Sequence, residues 1–376
     1  MEKEDFDFIF AYQEELNCKL FTSKHRIVAF LSKQGYRILY IEVPKFILVW
    51  IYEKIKSLFF KRIIIPEEFN SKNIYILKPF TIIPTKFLFD NLIFSKIESY
   101  IVKLYIKIKL KSPISCRYFQ IYIPKSIELL FNKTINSKKV IYHLIDDFRY
   151  LKRAPKVIST YHNIVSSSSP KIITPSKKLY DQIINKNKFF LPHGYVNYEF
   201  DTQNYNFKNL LSNKLNNIIY YGQLNKLNYQ LIIDVVSELP EFNFIFIGIN
   251  HKIQKIKLEN LNFIDYLDHK KLMYLLKHSQ LLWCPFNKNN LSFAMTPIKY
   301  IEALSFGIPV LSTHINYKDL LTNELIVFKD NYLEHINFIR TFQKFENTHK
   351  KAGRIEAVKD RTWDVIINKY IEFIEM

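Results

Sequence analysis

Lys299 and Glu302 are the residues whose types and spacing point most directly to chemistry. They lie three positions apart in the segment MTPIKYIEALSFGIPVLST, Met295 to Thr313. Residues three apart share a helix face, so an ammonium and a carboxylate would meet the same ligand. The ammonium can share a phosphate with helix N-terminal N–H groups, and the carboxylate can accept hydrogen bonds from ribose hydroxyls. The alternative is a solvated Lys–Glu pair on an ordinary helix.

The start of this helix is predicted from Thr296 and Pro297. Threonine is a good N-cap, and proline suits the first helical position. Ile298 follows, and Lys299 then falls in the first turn, where a cation opposes the helix dipole. A bound anion would remove that conflict, so this helix end is predicted to hold one.

A second candidate is the pair Asp146–Asp147, which ends the apolar strand KKVIYHLIDDF. Open α/β sheets bind ligands beyond the carboxyl ends of their strands. A carboxylate there can accept the proton of an attacking hydroxyl group as a general base. Neighbours on an extended backbone point to opposite sides, and Asp146 is the preferred base with Asp147 next. The alternative is that the pair caps the following segment.

The elements that would position these residues alternate between strands and helices in both halves of the chain. The N-terminal half begins with a strand, a helix at roughly Ser23 to Gln34 and a second strand, and Ser176 is a predicted N-cap. The pattern predicts two Rossmann-like doubly wound α/β domains facing a cleft. Their expected bounds are 1–196 and 218–355, with a polar linker at 197–217 and a final helix at 356–376.

Charge is the strongest compositional signal. The 376 residues include 54 lysines and arginines against 35 acidic residues, a net charge of +19. Such an excess indicates a polyanionic partner, although AT-rich coding bias, which favours lysine codons, is an alternative explanation. Nucleic acid is not the expected partner, because no helix-turn-helix, zinc or RNA-recognition motif is present. The three cysteines lie far apart and form no metal-binding or disulfide pattern.

Two basic and apolar segments point to a membrane surface. PKFILVWIYEKIKSLFFKR, Pro44 to Arg62, and YIVKLYIKIKLKS, from Tyr100, combine lysines with aromatic and aliphatic residues. This composition is typical of a helix lying among lipid headgroups. No apolar run reaches the length of a membrane span, and the N-terminus is acidic rather than signal-like. The prediction is a cytoplasmic protein, peripheral on the inner face of an anionic membrane; the alternative is that the helix packs on its own core.

The segment around Lys299 resembles the donor-site signature of GT-B glycosyltransferases, in particular the retaining family-4 type. The matching residues are Pro297, Lys299, Glu302, Ala303, Gly307, Pro309 and Val310. The resemblance implies a GT-B fold and transfer of a hexose from a nucleotide-sugar, with a UDP-sugar foremost. It also implies that the lysine binds the donor diphosphate and the glutamate binds the ribose.

Further segments resemble the same family in the same order. YYGQLN, with Gly222 and Gln223, is similar to the loop near the diphosphate. The stretch NFIDYLDHKK, with Tyr266, resembles the segment beside the nucleotide base. RTWDVIINKYIEFI resembles the Trp-containing C-terminal helix that crosses back to the N-terminal domain. The resemblance is clear over about Lys171 to Met376.

One departure from the family pattern bears on stereochemistry. Family-4 enzymes often carry a second glutamate eight positions before the one equivalent to Glu302, where this chain has Ala294. The chain is in this respect similar to the inverting glucuronosyltransferase of xanthan assembly. The resemblance implies bacterial cell-surface polysaccharide synthesis on a saccharide or polyprenyl-diphosphate-linked acceptor. No metal site is expected, because no DxD sequence lies in a metal-binding context. A UDP-sugar epimerase of the same fold, a nucleic-acid-binding protein and a non-catalytic partner are the alternatives.

Overall fold

The chain folds into two compact units. The computed structural model describes residues 5–16, 22–59, 69–88, 91–111, 113–147, 155–168, 171–200, 207, 210–211, 216–248, 255–288, 296–315 and 325–376. One unit comprises Met1–Leu191 with Ile367–Met376, and the other comprises Pro192–Ile366. The predicted linker at 197–217 therefore falls within the second unit, and much of it lies outside the described residues.

The first unit is built on a seven-stranded parallel sheet in the order β4-β2-β1-β6-β7-β8-β9, and the short β3 and β5 pair separately. The strand Ile38–Glu42 is buried at every position, which explains its continuous apolar run ILYIE. The strands are β1 (Asp5–Gln13), β2 (Ile38–Glu42), β3 (Lys45–Phe46), β4 (Ile74–Leu77), β5 (Phe80–Thr81), β6 (Ile114–Ile121), β7 (Ile135–His143), β8 (Lys171–Thr174) and β9 (Lys188–Phe190).

Six α-helices accompany this sheet in the described residues. Ser176 caps the last of them by accepting a hydrogen bond from the Leu179 N–H at 3.4 Å, which confirms the predicted N-cap. Two 3₁₀ segments, Ser71–Asn73 and Pro124–Lys133, complete the unit. The helices are α1 (Ser23–Lys33), α2 (Ile47–Phe59), α3 (Thr85–Leu88), α4 (Leu92–Leu110), α5 (Pro155–Ser167) and α6 (Lys177–Gln182).

The second unit has a six-stranded parallel sheet in the order β12-β11-β10-β13-β14-β15. The order reverses between β10 and β13, and this switch point is where open α/β sheets bind ligands, beyond the carboxyl ends of the strands. Both halves of the chain are thus doubly wound, as predicted. The strands are β10 (Asn216–Tyr221), β11 (Phe242–Ile247), β12 (Leu261–Ile264), β13 (Leu281–Cys284), β14 (Val310–Ser312) and β15 (Ile326–Phe328).

The helices of the second half pack their apolar faces on this sheet. Trp283 of β13 is fully buried at the centre of the core. Short 3₁₀ turns lie at Leu224–Lys226 and Phe342–Phe345. The helices are α7 (Tyr229–Ser237), α8 (His269–Lys277), α9 (Ile298–Ser305), α10 (Tyr332–Thr341), α11 (Thr348–Val358) and α12 (Trp363–Glu375).

The final helix is shorter than the predicted 356–376. Helix α11 ends at Val358, and α12 begins only at Trp363, because Thr362 pairs with Tyr195 in an extended bridge. The last residues then belong to the first unit, as expected for a helix that crosses back. There the Lys139 ammonium donates to the Ile374 carbonyl at 3.0 Å, and the Tyr370 hydroxyl donates to Gln120 at 3.1 Å.

Helix α9, which carries Lys299 and Glu302, ends in a tight glycine turn. Gly307 has φ +72°, and the N–H groups of Gly307 and Ile308 donate back to the carbonyls of Leu304 and Ala303. This is the Schellman arrangement, in which glycine avoids the strain of the left-handed conformation. A Cβ at Gly307 would also lie 2.4 Å from Cγ of Lys351.

We expect Gly307→Ala to lower the free energy of unfolding by about 1–3 kcal/mol, because it adds left-handed backbone strain and a steric clash. Chemical denaturation of the variant measures this loss. Gly353→Ala is the matched control: Gly353 lies within α11, and a Cβ added there would have no atom within 4 Å. That change should raise stability by about 0.5–1 kcal/mol. Equal effects of the two substitutions would contradict this account of Gly307.

Candidate functional site

The loop that follows β10 is shaped for a close approach by Lys299. Gly222 has φ +120°, a conformation that side chains other than glycine rarely adopt. A Cβ at Gly222 would lie only 3.1 Å from the Lys299 ammonium nitrogen, so the missing side chain leaves room for this cation. The sequence-predicted residues Gly222 and Lys299 are thus brought together at the end of β10, at the switch point of the sheet.

The start of α9 differs from the prediction. Pro297 is itself the N-cap, with ψ 114°, and Ile298 is the first helical residue. The prediction that Thr296 caps this helix was therefore wrong, because the extended backbone of Pro297 shifts the helix start by one residue. No side chain caps this helix end in the described residues, so its first N–H groups point beyond the helix toward any bound anion.

The Lys299 ammonium is surrounded by aromatic rings. It lies 4.6 Å from the ring centre of Tyr220, 5.2 Å from that of Phe286 and 5.8 Å from that of Tyr221. Its hydrogen bond to the Tyr220 hydroxyl is long, at 3.4 Å. Burial lowers the pKa of Lys299 to about 8. The nearby charge of Lys226 also lowers this pKa, so the two cations together favour an anion.

Glu302 lies one turn further along α9 and is 2% exposed. Its Oε2 accepts a hydrogen bond from the Tyr221 hydroxyl at 2.6 Å, and its Oε1 lies 2.8 Å from Nε2 of His269. The carboxylate is therefore held by two donors in a buried position. Lys299 and Glu302 do not form the solvated ion pair that was the alternative interpretation.

The remaining predicted donor residues lie around this centre. Gln223 follows the glycine, is exposed, and accepts a hydrogen bond from the Tyr220 hydroxyl through its carbonyl at 3.2 Å. Tyr266 is half-buried in the short connection between β12 and α8. That connection ends at His269, the first residue of α8, so Tyr266 lies three residues before the histidine that contacts Glu302.

Sequence reasoning missed Tyr221 and His269. Tyr221 directly precedes Gly222, and the doubled tyrosine before a glycine was a visible signal. His269 begins α8 immediately after Asp268, whose carboxylate caps the helix by accepting from the Lys271 N–H at 3.0 Å. Contacts such as His269 with Glu302 join residues 33 positions apart, so they emerge only from the fold.

The two candidate carboxylates of the first unit have different surroundings. Both follow β7; Asp146 is exposed, whereas Asp147 is 4% exposed. Asp147 lines a pocket of about 350 Å³ together with His162, whose Nδ1 lies 2.8 Å from the Tyr142 hydroxyl. Burial, and secondarily the charge of Asp147, raise the pKa of Tyr142 well above its usual value. Asp146 is thus open to an incoming molecule, and Asp147 belongs to a polar cluster.

The described residues contain neither a metal-binding cluster nor a membrane-spanning helix. No group of three or more histidine, cysteine, aspartate or glutamate side chains is arranged there to hold a metal ion. Within the same residues, no helix is both long and apolar enough to cross a membrane.

Comparison with known proteins places this geometry in a family context. Residues 201–356, which include the whole site around Lys299, match the family model described as glycosyl transferases group 1. A Klebsiella pneumoniae protein, an uncharacterized 41.2 kDa protein in the cps region, is 26% identical over 264 residues. The match covers 64% of this chain and 72% of the relative.

Solved structures show the fold. A glycosyltransferase from Rickettsia africae has a TM-score of 0.64 at 13% identity, covering 99% of this chain and 98% of its own. The UDP-GlcNAc 2-epimerase of Neisseria meningitidis, bound to UDP-GlcNAc, has a TM-score of 0.54 at 11% identity and covers 99% of both chains. The shared architecture shows a GT-B fold, and the second unit of this chain matches the glycosyl transferases group 1 model over residues 201–356.

Proposed function

We propose that this protein is a glycosyltransferase that takes its sugar from a nucleotide-sugar, with a UDP-sugar foremost, and that it binds the donor through Lys299 and Glu302. The observation that carries the proposal is the Lys299 ammonium beside Gly222, next to a helix end that no side chain caps in the described residues. A diphosphate would receive both the ammonium and the backbone N–H groups. The UDP-GlcNAc in the similar Neisseria epimerase supports a UDP-sugar as the first donor to test.

The surroundings of Lys299 favour a ligand phosphate over water. A cation with a pKa lowered by burial gains interaction energy when an anion replaces the lost solvent. The same groups would stabilise the leaving diphosphate during transfer, as preorganised charges do in enzyme sites. Thr296, Pro297 and Ile298 lie at this helix end and would line the phosphate site. Glu302, one turn further on, would accept hydrogen bonds from the ribose hydroxyls.

The acceptor side of the proposal rests on the first unit and on the Klebsiella relative. A relative from a cps region supports bacterial cell-surface polysaccharide synthesis, with a saccharide or a polyprenyl-diphosphate-linked acceptor. Asp146 is exposed after β7, so it can reach an acceptor hydroxyl and remove its proton. Asp147 is the second candidate for the same role. A base of this kind fits transfer with inversion of configuration.

A lipid-linked acceptor would require the first unit to reach a membrane, and α2 presents a suitable surface. Leu48, Ile51, Tyr52 and Ile55 are exposed on α2, beside the exposed Lys54 and Lys56. Trp50 instead turns inward, since its indole N–H donates to the Lys78 carbonyl at 2.8 Å. Packing on the protein's own core therefore accounts for one side of α2 and leaves the other exposed. Residues beyond Phe59 in this segment lie outside the described residues.

Helix α4 carries a second exposed surface of the same kind. One stripe of α4 is 41 to 69% exposed and has the spacing of a single helix face: Ile93, Ile97, Tyr100, Leu104 and Ile108. Lysines 96, 107 and 109 flank this stripe. The two helices are neighbours, because Phe80 lies 5.2 Å from the Trp50 ring of α2 and 6.0 Å from the Tyr105 ring of α4. Apolar groups bordered by lysines suit the headgroup region of an anionic membrane.

We expect Lys299→Ala to weaken nucleotide-sugar binding by about 1.5–3 kcal/mol, the usual scale for a hydrogen bond to a charged group. In the parent protein, affinity should fall as the pH rises through about 8, because the Lys299 ammonium then loses its proton. The variant should lack this pH dependence. Calorimetry with UDP-, GDP- and ADP-sugars measures both effects.

The control for this variant is Lys257→Ala, which removes an exposed lysine elsewhere in the second unit. It should bind as the parent does. If Lys299→Ala binds every nucleotide-sugar with parental affinity, the donor site has been assigned to the wrong residues.

Replacing the catalytic base should slow turnover by about 10²–10⁴ and leave donor affinity nearly intact, because the base acts only in the transition state. Asp146→Asn is expected to show this loss, and Asp147→Asn is made in parallel as the alternative. Turnover and the anomeric configuration of the product are measured together. A product with retained configuration would exclude this role for both residues, and an epimerised UDP-sugar without transfer would favour the epimerase alternative.

Sedimentation with liposomes tests the membrane surface. Binding should require anionic lipid and weaken with salt, since each lysine near the surface contributes about 1 kcal/mol. Ile97→Ser with Leu104→Ser should lower the bound fraction by removing apolar contacts. Tyr332→Ser with Leu333→Ser, two exposed apolar residues of the second unit, is the matched control. Equal recovery in the supernatant with and without anionic liposomes would leave the proposal without support.

A further inference from the structure

We propose that Tyr198 and His269 form a positioning chain that fixes the Glu302 carboxylate for the donor ribose and thereby sets a preference for ribonucleotides over 2′-deoxyribonucleotides. The inference rests on the proposed donor site. It adds two residues that touch Glu302 directly or through one another and assigns them a role in nucleotide selection.

The chain consists of consecutive hydrogen bonds of normal length. The Tyr198 hydroxyl lies 2.8 Å from Nδ1 of His269, and Nε2 of the same ring lies 2.8 Å from Oε1 of Glu302. Because a carboxylate only accepts, Nε2–H of the ring donates to Glu302, and the Tyr198 hydroxyl pairs with the other ring nitrogen.

The imidazole is held in place by its own surroundings. His269 is the first residue of α8, and Asp268 caps that helix, so its backbone is anchored. Its ring lies 5.5 Å from the Tyr198 ring, which in turn lies 6.0 Å from Phe200. Phe200 contacts Phe306 at the end of α9, with ring centres 6.1 Å apart. Ring contacts and hydrogen bonds therefore connect Phe306, at the end of α9, with Glu302 on the same helix.

Hydrogen bonds to both oxygens fix the orientation of the Glu302 carboxylate as an acceptor for ligand hydroxyls. Tyr221 occupies one position on Oε2 and His269 one position on Oε1. An ionised carboxylate offers about four acceptor positions, more than these two contacts use, and in the proposed donor site the ribose hydroxyls would donate to it. Both oxygens are fixed before the ligand arrives, so less side-chain entropy is lost on binding than for a free glutamate. Loss of the His269 contact would remove a donor to Oε1 and weaken the hold on the carboxylate.

The predicted consequence concerns the ribose hydroxyls and not the diphosphate. A fixed Glu302 distinguishes a ribose from a 2′-deoxyribose, because the missing hydroxyl leaves one buried acceptor position unpaired. The role of Lys299 toward the diphosphate does not depend on Tyr198 or His269, since the ammonium lies against Tyr220 and Phe286 instead. Selection for the sugar of the nucleotide and affinity for its phosphates are thus separable by mutation.

The test compares UDP, GDP and ADP with their 2′-deoxy counterparts by titration calorimetry. The parent protein should bind its preferred ribonucleotide about tenfold more tightly than the deoxy form, as expected for one hydrogen bond to a charged group. His269→Ala should reduce this ratio to about 1–2, and Tyr198→Phe should lower it partly. His269→Gln, whose amide N–H can replace Nε2–H, should retain most of it.

His278→Ala is the matched control, since His278 lies at the other end of α8 and contacts the Tyr274 carbonyl. This variant should prefer the ribonucleotide over its 2′-deoxy form by the same affinity ratio as the parent protein. In turnover assays, His269→Ala should raise the KM for the donor and change kcat little, because ribose contacts are the same in the ground and transition states. Melting temperatures identify any variant that fails to fold.

The outcomes separate this inference from the proposed function. If Glu302→Gln loses the ribose preference while His269→Ala and Tyr198→Phe keep it, Glu302 binds the ribose and the positioning chain is refuted. If His269→Ala weakens both nucleotide forms equally, His269 has only a structural role and the inference is again overturned. If none of the nucleotides binds the parent protein, the donor site itself is refuted, and the inference with it.

Discussion

The placement of the Lys299 ammonium is the constraint on which the rest of the site depends. The cation lies against the faces of Tyr220 and Phe286, and the glutamate on the next turn of its helix gives both oxygens to other partners. Burial lowers the pKa of the lysine to about 8. A desolvated cation of this kind is stabilised when an anionic ligand completes its environment, and in the proposed function the donor diphosphate would supply the matching charge.

Several neighbouring residues hold Lys299 and its helix in this position. Gly222 leaves space for the ammonium, and the extended backbone of Pro297 starts α9 without a side-chain cap on its first N–H groups. Gly307 closes the other end of α9, and the buried Arg354 donates to the Gly307 carbonyl at 2.8 Å while pairing with Glu346. The helix that bears both functional residues is thus fixed at its two ends by different means. A rigid support of this kind is what a preorganised binding site requires.

The fold, and the placement of Lys299 and Glu302 on one helix face, could be predicted from sequence because their signals are local. Apolar runs beside turn glycines indicated the strands, and the spacing of Lys299 and Glu302 indicated their common helix face. The first residue of a helix was harder to predict. Pro297 rather than Thr296 caps α9, because the backbone of this one residue is extended. The partners of Glu302 could not be predicted, because Tyr221 and His269 reach it from distant strands and helices. The burial of Asp147 beside an exposed Asp146 likewise depends on α5 and α6, whose residues line the pocket that contains Asp147.

Proton uptake on donor binding tests the account of Lys299 most directly. The diphosphate of a UDP-sugar has no proton to gain near pH 9, and any uptake by its uracil ring, which ionises near that pH, is measured with the Lys299→Ala variant and subtracted. With a free pKa of about 8, most Lys299 side chains are neutral at that pH and must be protonated to hold the diphosphate. Calorimetry in buffers of different ionisation enthalpy should therefore report uptake of about one proton per bound UDP-sugar at pH 9, and very little at pH 6.5. Binding at pH 9 without proton uptake would show that the diphosphate does not depend on the Lys299 ammonium and would contradict the account.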